Sequence, residues 1–269
     1  MGTPTELKYI SLYSGAGGLD LAFKLANPSA RAICYVEREA SSIALLVDHM
    51  QTGQLDDAPV FADSGTFDGK PWRGKVDIVA VAVPCQPVSV AGRGRQSRDP
   101  RWLWDDALQV IKDVHPAVVV LENVRGLVSR GLRQIVESLD RCGYDAVWSI
   151  YRVDLHAGGS HQRERLFLIA YARENAVGYT YLKGLEGRNE SIDGSAYEWP
   201  SWPPSPEGDW ASIPKRYWPA TEPELRRVAN ARKSTHWVDR LRALGNAVCP
   251  WQAKFALNDL VSIIRENYE

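Results

Sequence analysis

The sequence predicts an α/β domain built on a doubly wound, mostly parallel sheet, with a small irregular lobe inserted late in the chain. Three observations point there. Apolar segments rich in β-branched residues alternate with helical patterns through the first two-thirds of the chain. The runs Val76-Asp77-Ile78-Val79-Ala80-Val81-Ala82-Val83 and Ala117-Val118-Val119-Val120-Leu121 lack polar alternation. Strands of that kind are buried on both faces of a parallel sheet. Composition then shifts near Arg173.

The elements follow in order. Strands are expected at Tyr9–Tyr13, Ala32–Val36, Asp77–Val83, Ala117–Leu121, Ala146–Val153 and Leu166–Ala170. Helical patterns cover Leu19–Ala26, Ala40–Met50, Leu103–Val114 and Leu132–Cys142, and helical periodicity returns from Trp251 to Ile264. Between Glu174 and Glu224 stand Pro200, Pro203, Pro204, Pro206, Pro214, Pro219 and Pro223, which exclude long helices and central strands. Trp199, Trp202, Trp210 and Trp218 in the same stretch argue against pure disorder, because aromatic side chains bury large areas.

Bulk properties agree with a globular chain of one large domain or one domain with a small lobe. It has 269 residues, 45% hydrophobic and 24% charged. The four cysteines lie far apart and show no metal-ligand spacing, so no metal is expected and free thiols suit a reducing, intracellular setting. No secretory or transmembrane segment is expected. A net charge of −1 says nothing for a nucleic-acid partner. Its distribution says more: Arg93, Arg95, Arg98 and Arg101 face a single acid, Asp99, and cations cluster again from Lys215 to Arg242. Such clusters either track phosphates or form a solvated surface.

Four sites invite chemistry. After the first strand, Ser14-Gly15-Ala16-Gly17-Gly18 opens a helix, a place where a nucleotide-type ligand approaches backbone N–H groups or where the chain merely turns tightly. At the end of the next strand, Glu37 is either an acceptor for ribose hydroxyls or a surface acid, and Asp63 by itself is a loop residue. Cys85, in Val83-Pro84-Cys85-Gln86-Pro87, follows a buried strand at the end where open α/β sheets build their sites, with a basic, glycine-hinged loop after it. A lone cysteine there is usually a small core residue, but the paired prolines and the basic loop favour a held thiol. Glu122-Asn123-Val124 ends the Ala117–Leu121 strand. Its glutamate is either a partly desolvated acid or a helix cap. Arg163 and Arg165 share one face if extended, and they need anionic or carbonyl partners.

These pieces, in this order, resemble the cytosine-5 DNA methyltransferases over about Leu7–Ala170 and Arg240–Ala256. The turn resembles the family's cofactor motif and Val83–Pro87 its catalytic motif. Glu122–Val124 resembles its acid motif, Arg163–Arg165 its paired arginines, and Leu244-Gly245-Asn246-Ala247-Val248 its C-terminal motif. The resemblance implies a Rossmann-like class I methyltransferase fold. The expected divisions are 1–172 for catalysis and cofactor binding, 173–239 for target recognition, and 240–269 for a segment that returns to the catalytic domain.

It also implies roles. Tyr13, Gly15, Ala16, Gly17, Gly18 and Leu19 would surround S-adenosylmethionine. Glu37 would hold its ribose and Asp63 its adenine edge, with Pro84, Asn246 and Val248 completing the pocket. Cys85 would attack carbon 6 of cytosine, Glu122 would act at N3, and Arg165 would contact O2. Arg163 belongs to the same group, with a structural salt bridge ranked ahead of direct substrate contact. Gln86, Ser89, Arg93, Arg95 and Asn123 would contact or brace the substrate. The expected partner is double-stranded DNA, the expected state a monomer, and the expected location the cytoplasm, nucleoid-associated through DNA, with restriction-modification as one setting. Two departures stand out: His161 replaces a common glutamine, and Ser11 an acid often found before the turn. The short recognition segment keeps a transfer-RNA cytosine-5 methyltransferase as an alternative; an inactive DNA-binding relative is a second, against which the intact Cys85, Glu122 and Arg165 argue.

Overall fold

A computed structural model describes residues 6–84, 102–157, 162–173 and 247–268. Cys85, Gln86, Ser89, Arg93, Arg95, His161, Asn246 and all of the expected recognition lobe 173–239 except Arg173 lie outside the described residues.

The strands are β1 (Lys8–Leu12), β2 (Arg31–Val36), β3 (Val60–Phe61), β4 (Ile78–Val81), β5 (Val118–Val124), β6 (Tyr144–Arg152) and β7 (Glu164–Ala172). The helices are α1 (Gly18–Ala26), α2 (Ala40–Gln51), α3 (Trp104–Val114), α4 (Leu127–Arg130), α5 (Leu132–Arg141), α6 (Val153–His156) and α7 (Pro250–Tyr268). The seven strands form one sheet in the order β3-β2-β1-β4-β5-β7-β6. Neighbours from β3 to β5 pair in parallel, and β7 runs antiparallel to both β5 and β6. The expected α/β, mostly parallel sheet is therefore the observed one, with a reversed strand that the apolar pattern did not reveal.

The unbroken apolar runs have a direct cause. Alternate residues of β4 and β5 enter different cores: Ile78, Ala80, Val118 and Val120 face one side, and Val79, Val81, Val119 and Leu121 the other. The first core is roofed by α1 through Leu19 and Phe23 and by α7 through Ala253, Leu257, Leu260 and Ile264. The second is roofed by α3 and α5 through Trp104, Ile111, Ile135 and Leu139. Each Val, Leu, Ile or Phe side chain among them contributes about 1.5–3 kcal/mol on full burial. The Trp104 indole, wholly buried, donates to the Ser138 hydroxyl at 2.9 Å, so its polar edge is satisfied between two helices.

Boundaries differ from expectation in informative places. β5 continues through Glu122 and Asn123 to Val124, because Asn123 and Val124 pair with Leu166 and Arg165 of β7. Glu122 thus lies inside the strand, not beyond its end. β3, α4 and α6 carried no sequence signal, since two to four residues are too few for a periodic pattern. No helix among the described residues is long and apolar enough to cross a membrane.

Candidate functional site

The glycine turn begins with a strained residue. Tyr13 has φ 58°, a left-handed backbone that a bulky side chain adopts only when held there. Its N–H donates to the Val36 carbonyl at 2.7 Å, and its hydroxyl donates to the Leu103 carbonyl at 2.8 Å. Next, Gly15 N–H donates to Glu37 Oε2 at 2.8 Å while Glu37 Oε1 accepts from Glu39 N–H at 2.7 Å. The Glu37 carboxylate therefore joins the turn to the start of α2, with a lone pair left on each oxygen for a hydroxyl donor. Asp63 is exposed, and its Oδ1 accepts from Gly65 N–H at 3.0 Å.

Two glycines are required here, Gly17 by its left-handed backbone and Gly18 by close approach. Gly17, the N-cap of α1, has φ 79°, and a Cβ on it would lie 2.4 Å from Leu55 Cδ1. A Cβ on Gly18 would lie 2.4 Å from the Val248 carbonyl oxygen, a backbone atom that cannot swing away. A Cβ on Gly15 would meet nothing within 4 Å. The turn is thus gripped at Gly17 and Gly18 and open at Gly15, beside the first turn of α1 with its N–H donors. That shape suits a nucleotide-type ligand.

The acid lies two strands away. Because β7 is antiparallel, its first residues sit beside the last residues of β5. Val124 is opposite Arg165, and Glu122 is opposite Phe167, so Arg165 reaches Glu122 diagonally on the same face. Arg165 Nε and Glu122 Oε1 are 2.9 Å apart, with side-chain exposures of 13% and 7%. Burial pushes the Glu122 carboxyl above its ordinary value, while the Arg165 and Arg163 guanidiniums hold it down without cancelling the rise. Next to it, Asn123 Nδ2 donates to the Val83 carbonyl at 3.0 Å, and Asn123 Oδ1 accepts from Val124 N–H at 2.8 Å. Asn123 therefore ties β5 to the residues that lead from β4 into Pro84, which is exposed.

One segment connects the two halves. The Arg163 guanidinium donates to the Ala247 carbonyl, and the next residue, Val248, lies over Gly18. Gln252, wholly buried on α7, donates through Nε2 to the Tyr151 and Arg163 carbonyls at 2.8 and 2.9 Å. The arginine strand and the glycine turn are both fixed by residues 247–252.

The structure thus gathers Tyr13, Gly15, Ala16, Gly17, Gly18, Leu19, Glu37 and Val248 around the turn, and Glu122, Asn123, Arg163 and Arg165 around the β5–β7 junction. Sequence reasoning passed over three residues here. Gln252 sits one residue inside the expected last helix. His49 lies three residues after the buried Leu46, on the side of α2 that faces the turn, and its Nδ1 is 3.0 Å from the Ala16 carbonyl. Asp20 falls among Leu19, Phe23 and Ala26 on the buried face of α1, where a charged residue is itself the signal. Burial pushes its carboxyl from 3.8 up to about 7, the nearby Ser11 and Tyr9 hydroxyls offsetting only part of the rise.

Comparison with known proteins bears on this arrangement. A family model described as C-5 cytosine-specific DNA methylase matches residues 7–201. Type II methyltransferase M.HgiCII of Herpetosiphon aurantiacus is 27% identical over 177 residues, 64% of this chain and 39% of that protein. Type II methyltransferase M.NgoMIV of Neisseria gonorrhoeae is 29% identical over 170 residues, 61% of this chain and 52% of that protein. The chain spans about half the length of the curated relatives it matches. Among solved structures, a DNMT2 mutant from Spodoptera frugiperda matches with a TM-score of 0.50 at 20% identity, covering 62% of this chain and 50% of that one. The Entamoeba histolytica methyltransferase EhMeth matches with a TM-score of 0.50 at 17% identity, covering 64% and 55%. At those identities the likeness to the solved structures is one of fold.

Proposed function

The chain belongs to the C-5 cytosine-specific DNA methylase family, and from that premise we propose that it transfers a methyl group from S-adenosylmethionine to carbon 5 of cytosine in DNA, with Cys85 as the covalent nucleophile. The observation that carries the reading is the Glu122–Arg165 pair. A buried acid inclined to keep its proton, steadied by a guanidinium, stands on the strand beside the one that runs into Val83-Pro84-Cys85. Base chemistry needs such a donor, and packing alone supplies no reason to bury one.

Carbon 5 of cytosine is too electron-poor to attack a methyl donor unaided. The Cys85 thiolate adds at carbon 6, and the electron pair of the carbon 5–carbon 6 double bond becomes that of an enamine, nucleophilic at carbon 5. Glu122 gives its proton, or a strong hydrogen bond, to N3, where charge develops. Arg165 holds Glu122 and reaches O2 of the base. S-Adenosylmethionine, when bound, supplies an electrophilic methyl group on a sulfonium. Once carbon 5 carries the methyl group, with S-adenosylhomocysteine as the other product, a base removes the carbon-5 hydrogen, the double bond re-forms, the thiolate leaves, and N3 returns its proton to Glu122. The reacting carbon lies inside the duplex stack, so the nucleotide must swing out at a cost of roughly a few kcal/mol.

The reading of the turn as the methyl donor's site is supported by open Gly15, by the N–H groups at the start of α1 and by the Glu37 carboxylate, which can accept from ribose hydroxyls. Asp63 would take the adenine edge, Tyr13, Ala16 and Leu19 would line the pocket, and Pro84, Asn246 and Val248 would close it. Base selection is assigned to residues 173–239, with Gln86, Ser89, Arg93 and Arg95 meeting the substrate from the cysteine side.

The test uses purified protein and methyl-labelled S-adenosylmethionine with mixed-sequence duplex DNA or, in a separate reaction, transfer RNA, beside Cys85→Ala. Digestion should yield labelled 5-methyldeoxycytidine from the wild type alone. Equal label from both proteins would overturn the covalent mechanism. Label in transfer RNA but not in DNA would overturn the substrate.

A further inference from the structure

We infer that His49 is a positioning residue for the cofactor-binding turn, holding the Ala16–Gly17 peptide in one orientation. The inference rests on the reading of that turn as the S-adenosylmethionine site. It starts from one contact: His49 Nδ1 lies 3.0 Å from the Ala16 carbonyl oxygen. A carbonyl only accepts, so Nδ1 carries the hydrogen in this contact.

The same peptide unit is held at its other end, where Gly17 N–H donates to the Ser14 carbonyl at 2.9 Å. The Ser14–Gly15 unit is likewise fixed twice, through the Ser14 carbonyl and through Gly15 N–H on Glu37. Between these two fixed units lies the Gly15–Ala16 peptide, whose orientation they dictate. Without His49, the Ala16–Gly17 unit would lose the partner of its carbonyl at a position where glycine makes rotation cheap.

The main chain of His49 works to the same end. Its carbonyl accepts from Gln54 N–H at 2.8 Å and from Leu55 N–H at 3.1 Å, which brings the chain sharply round after α2. That bend lays Leu55 against Gly17, 2.4 Å from where a Cβ would stand, with Leu46 behind it. One residue of α2 therefore sets the turn twice, by a side-chain hydrogen bond to Ala16 and by the packing of Leu55 on Gly17. Neither Leu55 nor any other residue crowds a Cβ position at Gly15. His49 thus acts through the backbone and does not touch the ligand.

Two substitutions separate this role from bulk packing. His49→Leu keeps an apolar side chain and removes the donor. His49→Asn places an amide nitrogen at the same number of bonds from the main chain as Nδ1. Full-length wild type and both variants are titrated calorimetrically with S-adenosylhomocysteine as the probe, and KM for S-adenosylmethionine and kcat are measured beside them. His49→Leu should weaken binding of the probe by about two- to tenfold, the range of one hydrogen bond, and raise KM with kcat little changed. His49→Asn should recover most of the loss. Unchanged binding in His49→Leu, or equal loss in both variants, overturns the inference while wild-type binding leaves the cofactor reading standing. Failure of the wild type to bind the probe overturns the cofactor reading and the inference with it.

Discussion

The two halves of the site are built from different physics. Around the glycine turn, shape dominates: Gly17 and Gly18 lie against Leu55 and the Val248 carbonyl, and hydrogen bonds from Gly17 N–H to Ser14, from Gly15 N–H to Glu37 and between His49 and Ala16 fix the peptide units before them. At the β5–β7 junction, charge dominates, with a carboxyl and a guanidinium 2.9 Å apart and both nearly excluded from water. At Gly18 the first half tolerates no added atom, and the second half tolerates no unbalanced charge. Errors in the one should therefore appear as lost affinity, and errors in the other as lost rate.

The largest expected effect comes from Glu122→Gln, which keeps size and removes the ionisable group. The methyl-transfer rate should fall by about 10²–10⁴, the range for losing a positioned acid. Affinity for S-adenosylhomocysteine should stay as it was. If calorimetry shows affinity falling with the rate, the division between the halves is wrong.

Gly18→Ala probes the other half. Its methyl group would meet the Val248 carbonyl oxygen at 2.4 Å, and overpacking of this kind costs about 1–3 kcal/mol. Probe affinity and melting temperature should both drop, while saturating cofactor restores most of kcat. A variant that binds normally would mean that residues 247–249 yield easily.

The smallest effect on catalysis is expected from Asp20→Asn. The folded form holds the Asp20 proton up to about pH 7, whereas an ordinary carboxyl gives it up near 3.8. Folding therefore takes up a proton between those values, so the native state loses stability as pH rises from about 4 to about 7, and the cost is constant above. Thermal melts across that window should show a shallower fall for the variant than for the wild type, and a higher melting temperature on its alkaline side. Identical pH profiles would mean that Asp20 ionises normally.

Legibility followed the same division. The strands that build the sheet were readable because β4 and β5 are apolar on both faces, and the turn because its glycines stand together. Glu122 and the arginines were readable as chemistry but not as a pair. Their contact depends on β7 running backwards, and nothing in Leu166–Ala170 distinguishes a parallel from an antiparallel strand. The short β3 left no periodic trace. His49 looked like any histidine near a helix end, since its role needs the position of Ala16, thirty-three residues earlier in the chain. Asp20 was legible in principle, as an acid on a face otherwise given to Leu19, Phe23 and Ala26.

The roof that α7 lays over the first core has a consequence for how the molecule comes into being. Ala253, Leu257, Leu260 and Ile264 share that core with Tyr9 and Phe23, which leave the ribosome long before them. Until α7 has been made, Ile78, Val118, Val120 and Ile169 line a sheet face with part of its cover missing. Synthesis passes through a half-covered intermediate of the sort that chaperones attend and that aggregates when crowded. Native pairings that join such distant stretches also slow the final closure. The glycine turn, which leans on Val248 at the threshold of α7, takes its final shape only when that closure is complete.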